Sequence, residues 1–157
     1  MPGYKGHVAG GLVAYALVMY LLSGLNPSSC TALEWLMFTL AGSLFPDIDI
    51  KSKGQKWFYW LIFVCFVMLL VCKRYALLAV LGIGALIPMM VRHRGIFHQL
   101  WFVLAVPCAV TLGVAIWAPA YTQIAVLDAL FFTAGAVSHL WLDLGVRRMV
   151  RSKKHRF

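Results

Sequence analysis

Negative charge is the scarcest feature of these 157 residues: five Asp and Glu stand against 14 Lys and Arg, and charged residues make up only 12% of the chain. Soluble domains carry about a quarter charged residues and about half apolar ones. A chain that is 62% apolar, with a mean hydropathy of +0.85, is therefore built for lipid rather than water. The four cysteines, Cys30, Cys65, Cys72 and Cys108, stand singly with no C-x-x-C pair, which argues against a thiolate zinc site and a disulfide framework. No lysine-rich tract is interleaved with aromatics, so nucleic acid is not an expected partner. The formal charge of +9 suits anionic headgroups, and membrane lipid is the expected partner. No small-x-small cleavage site follows the first apolar run, which is expected to stay as an anchor.

What remains is apolar sequence in six segments, about Val8 to Leu25, Pro27 to Phe45, Trp57 to Cys72, Tyr75 to Val91, Leu100 to Ala118 and Thr122 to Leu144. A span needs about 20 residues, so the third and fourth are slightly short. The fold expected is an all-α integral membrane bundle of about six transmembrane helices, a single membrane domain over 1–157 with a basic cytoplasmic tail at 147–157. With the N-terminus inside, the inner loops and termini hold 12 of the 14 basic residues, and the outer loops hold only Lys73 and Arg74. That bias puts both termini in the cytoplasm and predicts a multi-pass protein of the inner, cytoplasmic membrane. Gly6, Gly10, Gly11 and Ala14 in the first span, and Gly82 and Gly84 in the fourth, predict close helix contacts. Pro88 and Pro107 predict bends.

The rare polar residues fall on one side of this topology. His7 opens the first span from the cytoplasmic side. Pro46 stops the second on that side, with Asp47 and Asp49 around the bend. Two further crossings return the chain to the same face at Arg92-His93-Arg94-Gly95-Ile96-Phe97-His98. Two histidines five apart across a glycine do not share a regular helix face, so a tight turn aiming both rings at one point is expected. His139 and Asp143 lie at i and i+4 on the last inward turns of the sixth helix. Four of the five histidines and three of the five acidic residues thus meet at one interface. Asp128 and Glu34 fall elsewhere and are expected near the outer interface.

Each piece alone has an ordinary meaning. His139 with Asp143 is a common helix pair, Asp47 and Asp49 suit a turn balanced by Lys51 and Lys53, and Arg92 and Arg94 suit topology determinants. Together, His7, Asp47, Asp49, His93, His98, His139 and Asp143 form a nitrogen and oxygen donor set that suits one or two divalent ions, Zn²⁺ first and Mn²⁺ or Mg²⁺ next. Such an ion would relieve the repulsion among the carboxylates and lower the pKa of a bound water towards about 7.

Pro46-Asp47-Ile48-Asp49, His93-Arg94-Gly95-x-x-His98 and Ser138-His139-x-x-x-Asp143, preceded by Gly6-His7, resemble the signature set of the YdjM-like membrane-bound metal-dependent hydrolases. That family is distantly similar to the zinc-dependent phospholipase C and nuclease group. The resemblance implies the same seven metal ligands and a phosphoester substrate. Gln99 stands where a small hydroxyl residue usually follows the second histidine, and the chain ends sooner after Asp143 than in longer members. Gln99 and Ser138 are expected to steady the ligands by hydrogen bonds.

The expected function is metal-dependent hydrolysis of a phosphoester, in a lipid headgroup or lipid-linked phosphate, at the cytoplasmic interface. Asp49 is expected to orient or deprotonate the water, Arg94 to steady the developing charge, and Arg92, Arg94, Lys51 and Lys53 to attract the phosphate. The contrasting expectation is a non-catalytic metal-binding membrane scaffold or carrier, although a carrier needs polar residues nearer mid-membrane. The topology is checked by fusions after Phe157: green fluorescent protein should fluoresce there and alkaline phosphatase should be inactive. The opposite pattern would reverse the orientation.

Overall fold

The computed structural model describes residues 3–48, 53–71 and 96–150, with the isolated positions 73, 75, 78 and 82; at 53–54 and 144–150 only the backbone is described. Among the described residues the fold is all-α, with five α-helices: α1 (Tyr4–Leu21), α2 (Ser29–Leu44), α3 (Lys53–Val71), α4 (Leu100–Trp117) and α5 (Thr122–Val150). Single 3₁₀ turns occupy Ser23–Leu25, Phe45–Asp47 and Pro119–Tyr121.

Among the described residues, two stretches are long and apolar enough to cross a membrane: Leu100–Trp117, with mean hydropathy 2.2, and Pro119–Asp143, with 1.5. Six spans are more than the described residues display. The expected fourth segment, Tyr75 to Val91, falls outside them except at 75, 78 and 82. The first two helices also differ from the apolar runs. α1 begins at Tyr4, taking Lys5 and His7 into its first turns, and α2 has only 16 residues. Leu17 in α1, Leu70 in α3, and Ile116 and Trp117 in α4 are exposed. Apolar side chains on an outer surface match a lipid solvent, which makes no demand for a polar outer face.

Local chemistry sets the helix limits. Asn26 adopts the left-handed conformation at φ 43°, a region that asparagine tolerates better than most residues, and this turns the chain after α1. Ser28 then caps α2, its side chain accepting from the Thr31 N–H at 3.2 Å. At the other end, Pro46 brings no N–H to continue an α-helical ladder, and the chain tightens into the 3₁₀ turn carrying Asp47. Pro107 lies inside α4.

The bundle is held at its centre by a close crossing of α2 and α5. A Cβ at Gly42 would strike the Phe132 carbonyl oxygen, and one at Gly135 would strike the Thr39 carbonyl oxygen. Each helix thus presents a glycine to the other's backbone. α1 packs into the same seam, where a Cβ at Gly10 would sit 2.7 Å from Leu142 Cδ1 and one at Gly11 2.8 Å from Ser43 Oγ. The expectation for Gly10 and Gly11 therefore holds. Gly42 and Gly135, not singled out in the sequence, make the tighter contacts.

Near one end of the bundle an aromatic cluster surrounds the buried Phe45. Its ring centroid lies 5.3 Å from that of Phe132, 5.5 Å from Phe97 and 6.0 Å from Phe58. Such pairs contribute about 0.5–1.5 kcal/mol each beyond simple burial. Phe45 is two residues before Asp47, and Phe97 directly precedes His98, so the apolar contact brings two polar residues together. Further along, Glu34 and Asp128 are only 6% and 4% exposed. Helix packing encloses both side chains in protein.

Gly42→Ala or Gly135→Ala is expected to force α2 and α5 apart and to cost about 1–3 kcal/mol. Gly113→Ala, at a position with open space around it, should leave thermal unfolding in detergent unchanged or raise its midpoint. Equal melting of all three variants would contradict the crossing.

Candidate metal centre

Four pieces of backbone meet at this end of the bundle. α1 supplies His7 from its first turns, the 3₁₀ turn after α2 supplies Asp47, the turn before α4 supplies His98, and α5 supplies His139 and Asp143. The spacing in α5 places its two donors one helical turn apart on a shared face.

His98 Nε2, His139 Nε2, Asp47 Oδ1 and Asp143 Oδ2 enclose a small space. His139 Nε2 is 3.3 Å from Asp143 Oδ2 and 3.7 Å from Asp47 Oδ1. His98 Nε2 is 3.7 Å from Asp143 Oδ2 and 3.6 Å from Asp47 Oδ1. One ligand atom from each residue can be chosen so that all four lie within 4.8 Å of one another. These separations exceed the 2.7–3.2 Å of an ordinary N–H···O bond. The four nitrogen-to-oxygen distances lie close to the edges of about 3.3–3.6 Å that a tetrahedral shell has when its metal-to-ligand distances are about 2.0–2.2 Å. His7 stands beside this group, its Nε2 3.5 Å from Asp143 Oδ1. Its ring stacks on that of His139 at a centroid distance of 3.7 Å.

The protein orients His139 with one hydrogen bond. His139 Nδ1 lies 2.7 Å from the Ser43 carbonyl oxygen, and since a carbonyl only accepts, Nδ1 carries the proton. That leaves the Nε2 lone pair facing the donor group, the arrangement typical of a metal-binding histidine. The α2–α5 glycine contacts make this possible by bringing the Ser43 backbone against α5.

The site has a dry wall and an open side. The side chains of His7, His139 and Asp143 are 2%, 0% and 4% exposed, whereas those of His98 and Asp47 are 21% and 23% exposed. On the dry wall, His7 Nδ1, His139 Nε2 and Asp143 Oδ1 are buried without a hydrogen-bond partner. Buried polar atoms are nearly always satisfied, and an unpartnered His139 Nε2, one of the four donor atoms, fits a divalent ion held at this point. On the open side, polar contact with the His98 imidazole holds the Asp47 carboxyl below its ordinary value. This outweighs the opposing effect of burial, and the fields of His139, His7 and His98 add to it. Asp47 therefore faces the site as a carboxylate.

Of the seven expected donors, the structure brings together His7, Asp47, His98, His139 and Asp143. Asp49 and His93 lie outside the described residues, as do Arg92, Arg94 and Lys51; of Lys53 only the backbone is described. Gln99 and Ser138, expected to steady the ligands, make local hydrogen bonds. The Gln99 side-chain oxygen accepts from the Trp101 indole N–H, and Ser138 Oγ donates to the Gly135 carbonyl at 2.7 Å. Each bonds within its own stretch of chain. The supporting group observed on His139 is the Ser43 carbonyl, which side-chain chemistry in the sequence had no means of marking. Cys30, Cys65 and Cys108 are free thiols and do not join the site.

Zinc analysis of protein purified without chelator is expected to give about one ion per chain. His139→Ala and Asp143→Ala should each lower that content about tenfold or more, while Ser138→Ala keeps it. Wild-type zinc content in both site variants would rule out this donor group.

In a comparison with protein families, the sequence profile described as YdjM inner membrane protein matches residues 1–151. No curated protein and no solved structure matches the chain.

Proposed function

The chain belongs to the YdjM inner membrane protein family, and from that membership together with the donor geometry we propose a membrane-embedded, metal-dependent hydrolase acting on a phosphoester. The substrate is proposed to be a lipid headgroup or lipid-linked phosphate. The observation that carries this reading is the set of four donors with nitrogen-to-oxygen distances of 3.3–3.7 Å, one of them presented by a hydrogen bond to backbone, with one side of the site open.

His98, His139, Asp47 and Asp143 would hold a divalent ion, and His7 lies within reach of the Asp143 carboxylate. When bound, such an ion supplies Lewis acidity and water of lowered pKa. The buried faces of His7 and His139 exclude bulk solvent from one side, so a substrate approaches past Asp47 and His98. Among residues assigned from sequence alone, Asp49 is proposed to take the proton from the attacking water. Arg94 would balance the charge that develops on the phosphoryl oxygens. Arg92, Lys51 and Lys53 are proposed to draw the phosphate in. The ligand set has no thiolate and includes partly exposed donors, which favours a working site over a purely structural one.

The test is hydrolysis of a panel of phospholipids and isoprenoid phosphates by the purified chain, with and without chelator. Turnover is expected to disappear on chelation, to return with Zn²⁺ or Mn²⁺, and to fall by about 10²-fold or more in Asp143→Ala. Stoichiometric metal with no turnover on any ester would replace this reading with that of a metal-binding scaffold.

A further inference from the structure

A second feature lies at the same end of the bundle. α1, α2 and α3 border an open groove of about 420 Å³, within the roughly 300–1,000 Å³ range of small-molecule sites. Its walls are Val8, Leu40, Leu44, Leu61 and Val64, with Trp57 and Trp60 beside them. These positions are in phase: Leu40 and Leu44 are one turn apart on α2, and Trp57, Leu61 and Val64 follow at i, i+4 and i+7 on α3. From Trp57 to Val64 the groove runs about 10 Å along the helix. Almost all of its wall is apolar, but Tyr4 and the exposed Lys5 also line it.

The groove shares two walls with the donor cluster. Val8 follows His7 on α1, and Leu44 precedes Asp47 by three residues, less than about 5 Å of helix rise. Lys5 and Trp57 belong to the starts of their helices and Leu44 to the end of α2, so the cationic end of the groove is the end at which the His and Asp residues gather. An apolar trough with the Lys5 cation at its mouth complements a molecule with an anionic head and a hydrocarbon tail. Tryptophans beside it suit the level of the lipid headgroups.

We propose that this groove holds one acyl chain of an anionic bilayer phospholipid, with the lipid phosphate at Lys5, and so presents lipid from the leaflet to the His and Asp site. The groove assignment stands on its own geometry; the delivery of substrate rests on the hydrolase reading above and gives that enzyme its substrate class.

The experiment uses the full chain, treated with chelator, in micelles containing phosphatidylglycerol that bears a diazirine midway along one acyl chain. Photolabelled peptides are mapped by mass spectrometry, with the phosphatidylcholine counterpart run in parallel. Labels are expected to concentrate on Leu40, Leu61 and Val64, above the level at lipid-facing Ile116 and Trp117, and to be weaker with phosphatidylcholine. Val64→Trp, which fills the trough, and Lys5→Glu, which reverses the charge at its mouth, should each reduce groove labelling about fivefold or more while labelling at Ile116 stays constant. Lys5 is exposed, so its variant carries the test if the tryptophan variant does not fold. Labelling no denser in the groove than at Ile116, equal labelling by the two lipids, or groove labelling unchanged in Lys5→Glu would overturn the proposal. Labelling needs no catalysis: groove labelling in a chain whose metal-loaded form hydrolyses no ester would uphold the groove and reject the hydrolase. Hydrolysis with evenly spread labels would do the reverse.

Discussion

Holding the Asp143 carboxylate away from water governs the architecture at this end of the bundle. An isolated buried charge costs several kcal/mol even after the protein relaxes, and Asp143 is 4% exposed on its side chain. Three imidazoles surround it at 3.3–3.7 Å, with a second carboxylate across the group. Imidazoles at those distances are too far for good hydrogen bonds, so the described residues by themselves compensate the cluster incompletely. The arrangement makes physical sense as a shell whose balancing charge belongs at its centre.

Maintaining that shell requires rigid support, which is almost wholly apolar or backbone. Reciprocal glycine contacts let α2 and α5 approach until the Ser43 carbonyl can accept from His139 Nδ1. Phe45 and Phe97, packed edge to face, draw the Asp47 turn toward the His98 turn. In lipid, where burying apolar surface between helices gains little, close backbone approach and interlocking side chains carry the association. The features that hold the helices together therefore also set the donor spacing, with no separate polar scaffold needed.

The asymmetry of the site bears on what reaches it. The dry wall of His7, His139 and Asp143 faces the bundle interior, and Asp47 and His98 face outward. The neighbouring groove of α1, α2 and α3 opens at the same end, so the molecule combines a polar pocket and an apolar trough side by side. For an amphiphile, that is a match in both chemistry and order.

Much of this could be read from the chain by itself. Composition required helices in lipid, and the scarcity of charge made each acidic residue and histidine informative. Counting crossings put His7, Asp47, His98, His139 and Asp143 at one end, because a helix reverses direction across the bilayer and an even number of crossings returns it. Those inferences rest on solvent preference and periodicity, which are properties of sequence in one dimension. Only the tertiary structure decided the stacking of His7 on His139, the tautomer imposed by a carbonyl 96 residues away, and the enclosure of Glu34 and Asp128. Each of these depends on how closely two helices approach and at what rotation. That is set by glycines meeting backbone across the bundle, and no spacing along the chain encodes it.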